Sequence, residues 1–172
     1  TGTVSSGEAE PGNKLELLPD FNQVKIRGLQ SHDEKVKKIT IGQRSAINIQ
    51  SSDKVDIKRG SHLALKGYFT TTSLIAVKFT SLLKMSKNLK HNQRIRLHLG
   101  TQESIGRILL INIKNKTTFP AFIKLERPII ASCKDRFVVR SYSPISTIGG
   151  GVVLDINVIG KWGSIKQYID TL

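Results

Sequence analysis

Little in this sequence can cross-link, coordinate a metal or span a membrane. Cys133 is the one cysteine, so no internal disulfide can form and a reducing, cytoplasmic compartment is the expected setting. No apolar run approaches the ~18 residues a spanning helix needs, and no contact with a membrane is expected. The opening residues TGTVSSGEAEPG carry neither a basic segment nor an apolar core, unlike a signal peptide, and read as a cut from a longer chain. Acidic residues are also scarce. Thirteen stand against 27 Lys and Arg, a formal charge of +14 spread along the chain rather than gathered in a tail. Such an excess points to a polyanionic partner, nucleic acid first, with a lysine-rich proteome or an anionic surface as the alternative. At 172 residues, 38% hydrophobic and 23% charged, the composition is that of a folded protein with room for one large or two small domains.

Catalytic signatures are missing as well. No G-x-x-x-x-G-K-[ST] run occurs, since Gly160-Lys161 lacks the leading glycine and the following hydroxyl, so the chain should not bind GTP alone. His32, His62, His91, His98 and Cys133 share no metal-ligand spacing; no metal site is expected, and each histidine reads as a surface or loop residue. Cys133 beside Lys134 reads as a small hydrophobe near a strand sooner than as an activated thiolate. Asp33 and Glu34 read as turn formers, not as an acid and base pair. The chain by itself is therefore not expected to be an enzyme or to hold a cofactor.

Turn punctuation every ten residues or so, with almost no helical periodicity before the end, predicts an all-β protein. Leu15 and Leu17 share one face of Lys14 to Leu18, and Pro19-Asp20 breaks that strand. From Val24 to Ile49, three runs predict short half-buried strands: Val24 and Ile26 alternate with Lys25 and Arg27, Val36 and Ile39 flank Lys37 and Lys38, and Ile47 and Ile49 alternate with Asn48. A closed barrel could end near Tyr68. The change of character over Tyr68 to Ser73 predicts a boundary, with a first barrel over residues 1–73. Strands at Leu74–Phe79, Arg94–Leu99, Gly106–Ile113, Pro120–Leu125, Phe137–Arg140 and Gly151–Ile156 predict a second barrel over 74–156, with Pro128 and Pro144 at strand starts or edges. Residues 157–172 read as a linker and short helix, capped by Ser164 and carrying Ile165, Tyr168, Ile169 and Leu172 on one stripe. That stripe could pack on the second barrel or begin a further domain.

Binding features remain. Gly28-Leu29-Gln30-Ser31-His32-Asp33 is a turn-prone loop at a strand end, offering an amide, a hydroxyl, an imidazole and a carboxylate. Arg44 follows Gly42-Gln43 at the mouth of a strand, where a guanidinium either presents fixed donors to an anion or pairs with Asp33 or Glu34. Gly149-Gly150-Gly151 strips side chains from a strand, admitting another backbone or a phosphate, and a bulge or barrel corner would explain it equally. Lys134, Arg136 and Arg140 lie close by in sequence, suggesting a positive groove beside bare backbone, with a solvated basic face as the alternative.

The succession TGTVSSGEAEPGNKLELLP, VKIRGLQSHDEKVKKITIGQRSAINI and DIKRGSHLAL resembles the second domain of translational GTPases of the elongation factor Tu type. RGLQSHDEKV with GQRSAINI, then DRFVVRSYSPISTIGGGVVLD, is most similar to the bacterial selenocysteine-specific elongation factors. The resemblance covers roughly Thr1 to Asp155 and implies two consecutive small β-barrels of the translation-factor type. It implies GTP and Mg in an N-terminal domain outside this chain, delivery of selenocysteinyl-tRNA to the ribosome, and messenger-RNA stem-loop recognition by C-terminal modules also outside it. The molecule is expected to be monomeric. Arg44 matches the arginine facing the selenocysteine side chain, with Gln30 and His32 of the neighbouring loop set at the aminoacyl end. Arg27, Arg136, Arg140, Gly149 and Gly150 fall to tRNA contact. The resemblance also implies that acidic and basic pocket partners precede Thr1, leaving the pocket incomplete here. The tail departs from the family's proline- and arginine-rich linker. Two rivals accompany this reading: the same barrel pair from a general elongation or initiation factor, and a stand-alone basic RNA-binding β-barrel module. A structural barrel pair whose charge reflects proteome bias is a third.

Overall fold

The computed structural model describes residues 1–52, 54–82, 89–111 and 117–158. Fourteen strands and no helix occur among them, in two compact units that divide between Phe69 and Thr70. The expected helix, with Ser164 and its apolar stripe, and the end of the strand expected to reach Ile113 lie outside the described residues. So does the Gly160-Lys161 pair.

The first unit holds β1 (Gly2–Thr3), β2 (Glu8–Ala9), β3 (Lys14–Leu18), β4 (Asn22–Ser31), β5 (Glu34–Val36), β6 (Ile39–Thr40), β7 (Arg44–Gln50) and β8 (His62–Ala64). One curled sheet runs β1-β7-β4-β3-β8, with β5 added to β4, while β2 and β6 form a separate pair. Alternation in β4 buries Val24, Ile26 and Leu29 and leaves Gln23, Lys25, Arg27 and Gln30 exposed. The core is Ile26, Leu29 and Ile39, with Val4, Ala9, Leu15, Val36 and Ile47 packed against it. Ile26 pairs with Ile49 but Gly28 pairs with Asn48, so Arg27 is the extra residue of a β-bulge. Such a bulge bends a strand and lets it curl around a core. The run from Val36 to Ile39 is not one strand: it breaks at Lys37-Lys38, where Lys38 instead reaches Glu8 at 2.7 Å. Closure also differs from the expectation for this half. Its outermost strands, β1 and β8, are two and three residues long, and among the described residues they do not meet.

The second unit is β9 (Thr71–Ser81), β10 (Gln93–Leu99), β11 (Gln102–Leu110), β12 (Thr118–Ile130), β13 (Arg136–Ser141) and β14 (Thr147–Asp155). These close into a barrel in the order β10-β11-β12-β9-β14-β13. Full closure leaves no free edge, and alternate residues of every strand fill the interior. Ile75, Val77, Phe79, Ile95, Leu97, Ile108, Ile123, Val139 and Ile148 are almost wholly buried there. Phe79 anchors the packing, its ring 5.5 Å from Phe119 and 6.5 Å from Phe137 between centroids. Pro128 sits at the register shift of β12, where the ladder with β9 skips from Lys124 to Ile129 and needs no amide hydrogen. The glycine run lies inside β14, paired to β13 on one side and β9 on the other. A Cβ on Gly149 would stand 2.4 Å from the Thr80 carbonyl oxygen, one on Gly150 2.6 Å from that of Phe137, and one on Gly151 1.9 Å from that of Lys78. The bare stretch therefore admits its own neighbouring strands.

Candidate nucleic-acid interface

In the first unit, β4 and β5 are joined by a two-residue turn, His32-Asp33, with Ser31 paired to Glu34. Both turn residues are left-handed, φ 51° and 64°, the geometry of a type I′ hairpin. Non-glycine residues held there cost free energy, which marks the turn as a position worth functional attention. Ser31 Oγ shares a 3.2 Å hydrogen bond with His32 Nδ1 and lies 3.2 Å from the Arg44 carbonyl oxygen, to which it donates. The turn is thereby tied to the start of β7. On the far side, Gly42 is left-handed (φ 85°) and Gln43 Oε1 accepts from the Thr40 amide at 2.8 Å, fixing the turn that delivers Arg44.

These two turns enclose a concavity of about 280 Å³ lined by Gln30, His32, Asp33, Arg44, Ser45, Ala46 and Thr1. The structure thus brings Gln30, His32 and Arg44 together. Arg44 is exposed, and its guanidinium makes no ion pair or hydrogen bond with any described residue, Asp33 and Glu34 included. Ser45 is a residue sequence reading misses: it is 3% exposed, its Oγ has no hydrogen-bond partner, and it lines the same concavity. Arg27, on its bulge, is exposed but does not line it.

The second unit carries charge on the outside of its closed wall. Isoleucine and leucine of β10 point inward at Ile95, Leu97 and Leu99, which turns Arg94, Arg96 and His98 outward. Across the ladder, Arg94 stands opposite Arg107 and Arg107 opposite Lys124, while Arg96 stands opposite Arg140. Like charges directly opposite one another destabilise a sheet. Two carboxylates offset part of this. Glu126 lies 2.9 Å from Arg94, and Glu103 lies 2.7 Å from Arg96. The hydrogen bond from Arg96, helped by the charges of His98 and Arg140, holds the Glu103 carboxyl below its ordinary range. Tyr142 lies under both arginines, its ring centre 4.2 Å from the Arg94 guanidinium and 5.1 Å from that of Arg96. Cations over an aromatic face are attracted to its negative quadrupole. Arg96 Nε, Arg140 Nε and His98 Nε2 are buried without hydrogen-bond partners.

Of the residues expected here, Arg140 belongs to this cluster. Arg136 is exposed and pairs with Val152, at the other end of β13. Gly149 and Gly150 are explained by packing within the wall, as above, and Gly149 is buried. Arg94, Arg96, Arg107, Lys124 and Tyr142 went unread in the sequence. Their signal was the outward phase of β10, but only the strand register gathers them. One smaller expectation also changes: Cys133 is exposed between β12 and β13, not packed as a hydrophobe. His98 lies in the strand expected at Arg94–Leu99, with its Nε2 atom buried. Among the described residues no three His, Cys, Asp or Glu side chains gather as a metal site would require, and no helix is long and apolar enough to cross a membrane.

Residues 76–159 match the family model described as the selenocysteine-specific elongation factor, beta-barrel domain. The selenocysteine-specific elongation factor of Desulfomicrobium baculatum is 29% identical over 164 residues, covering 94% of this chain and 26% of that protein. The crystal structure of a bacterial selenocysteine-specific elongation factor, EF-Sec, is similar at a TM-score of 0.76 and 28% identity, covering 95% of this chain and 26% of that one. Elongation factor 1-alpha of Thermoplasma acidophilum is 26% identical, covering 98% of this chain and 41% of that protein. The chain thus spans about a quarter of the length of the selenocysteine-specific relatives it matches.

Proposed function

We propose that this chain, which belongs to the selenocysteine-specific elongation factors as a fragment carrying their β-barrel domain, is the part of such a factor that grips selenocysteinyl-tRNA. The observation that carries the reading is Arg44, an exposed guanidinium with no described partner, in a concavity shared with Gln30 and His32. A selenol ionises well below neutral pH, so selenocysteine presents an anion where serine presents a neutral hydroxyl. A fixed guanidinium tells the two apart by charge, and a polar site left unsatisfied by the wrong substrate discriminates far more strongly than a missing methylene would. The first unit then takes the aminoacyl end. The outer wall of the second takes the tRNA stem, where an RNA duplex offers phosphates and 2′-hydroxyls; Arg94, Arg96, Arg107, Lys124 and Arg140 supply the charge, with Arg27 and Arg136 as further phosphate contacts. In the whole cytoplasmic factor, an N-terminal domain would hold GTP and Mg and hydrolyse GTP, while C-terminal modules would read the messenger-RNA stem-loop at the ribosome.

A second reading, the barrel pair of a general elongation factor, is favoured by the match to elongation factor 1-alpha across nearly all of the chain. One experiment separates them. The full-length factor, loaded with a non-hydrolysable GTP analogue, is titrated with selenocysteinyl-tRNA and with the same tRNA charged with serine, each with and without Arg44→Ala. The expected result is tight binding of the selenocysteinyl form alone, with the preference lost in the variant. Equal binding of both forms by the unaltered factor would overturn selenocysteine selectivity and leave the general-factor reading.

A further inference from the structure

We propose that Glu103 is a built-in competitor for RNA phosphate: it occupies the arginine seat on the outer wall of the second barrel and is displaced when RNA binds. This rests on the tRNA-binding reading of the same wall.

The geometry is that of a seat for an anion already taken by a carboxylate. Arg96 donates to Glu103 at 2.7 Å. Arg140 stands directly opposite Arg96, and its side chain has no ion pair or hydrogen bond with any described residue. Glu103 is thus bonded to one guanidinium and feels only the charge of the other, and the Nε atom of each arginine is buried and unsatisfied. Glu126 does not relieve the shortage, because it is already taken by Arg94. Glu103 reaches Arg96 but leaves Arg140 without a partner, whereas the phosphodiesters of a polyanion bring several charges along a backbone and a row of further contacts. Two exposures decide how easily the exchange runs. The Arg96 side chain is 27% exposed, held over Tyr142, while Glu103 is 48% exposed at the barrel surface. An ion pair this accessible contributes little to stability, so the acid can swing into water at small cost while the arginine stays on its aromatic platform. In the free protein Glu103 also quiets the repulsion between Arg96 and Arg140. The opposite role is that of a positioning residue, a prop that Arg96 needs in order to bind RNA. The two roles differ in the sign of one measurement.

The test is the dissociation constant of a fluorescein-labelled acceptor and T-stem minihelix for the chain, for Glu103→Gln and for Arg96→Ala, read by anisotropy across a salt series. Glutamine keeps the shape and removes the charge. Glu103→Gln is expected to tighten binding roughly fivefold at low salt, the scale of one unit charge about 4 Å away in high dielectric. That gain should shrink as salt screens the wall, and Arg96→Ala should weaken binding. If Glu103→Gln binds no tighter than the parent chain while Arg96→Ala weakens binding, Glu103 is a prop or a bystander; the proposal fails and the stem-binding wall stands. If Arg96→Ala changes nothing, the wall itself is misread, and the proposal falls with it.

Discussion

At the scale of single residues, what a side chain faces decides its meaning, and the facing atoms often belong to a distant stretch of sequence. Gly151 and Gly28 look alike in the sequence, each a glycine in a strand. A Cβ on Gly151 would meet the Lys78 carbonyl oxygen at 1.9 Å, whereas one on Gly28 would meet nothing within 4 Å. The obstacle at Gly151 is backbone, which moves only if the ladder to β9 moves. Gly151→Ala should therefore destabilise the second unit by about 3 kcal/mol, the upper range for overpacking, while Gly28→Ala should stay within about 0.5 kcal/mol. Urea unfolding of the two variants measures the contrast. Equal stabilities would mean that β14 has slack, and the glycine run would again be open to an external ligand. The run was legible as a place of close approach; what approaches was not, because Lys78 and Thr80 reach it only through barrel closure. Arg44 shows the converse. Its turn chemistry, Gly42-Gln43 before a strand, places it from local sequence alone, but that it shares a concavity with Asp33 without pairing to it is seen only in the structure.

At the scale of the element, alternation was readable and register was not. Leu15, Val24, Ile26, Ile95, Leu97 and Val139 sit on the faces their period assigns, because a strand with one buried side leaves little choice. The division of Val36 to Ile39 between β5 and β6, and the open edge at β8, depended on pairings between short segments that the sequence leaves free. So did the row of cations, since Lys124, Arg107 and Arg94 come from three strands. That row makes a prediction at its own scale. Lys124 is exposed and directly opposite Arg107, so Lys124→Glu turns a like-charge pair into an opposite one and should stabilise the barrel by about 0.5 kcal/mol. It should also weaken RNA binding. Thermal unfolding and minihelix affinity, measured together, distinguish selection for an anion from compositional bias: under bias alone, stability would rise and RNA affinity would not change.

For the whole molecule, the question is what an excess of 14 positive charges is for. Such an excess is self-repulsive in the compact state, and a polyanion relieves the repulsion. Affinity driven by phosphate neutralisation carries a signature that no listing of basic residues can supply, because each phosphate engaged releases condensed counterions. The cations of the second wall, Arg94, Arg96, Arg107, Lys124 and Arg140, with Arg27 and Arg136, number enough to engage six or more phosphates. Affinity for the minihelix should then fall roughly a thousandfold between about 50 and 200 mM salt. Arg140→Ala should lower the slope of log affinity against log salt by about one phosphate equivalent without changing sequence preference, since backbone contacts carry none. A slope unchanged by that variant would place the engaged phosphates elsewhere on the molecule. A flat dependence in the parent chain would dismiss both RNA readings and return the charge to composition. The selenocysteine step responds differently, because one selenolate against Arg44 is a single ion pair. Salt should erode the grip on the stem long before it erodes the choice of amino acid, so the preference for selenocysteinyl- over seryl-tRNA should survive at salt concentrations where both bind weakly.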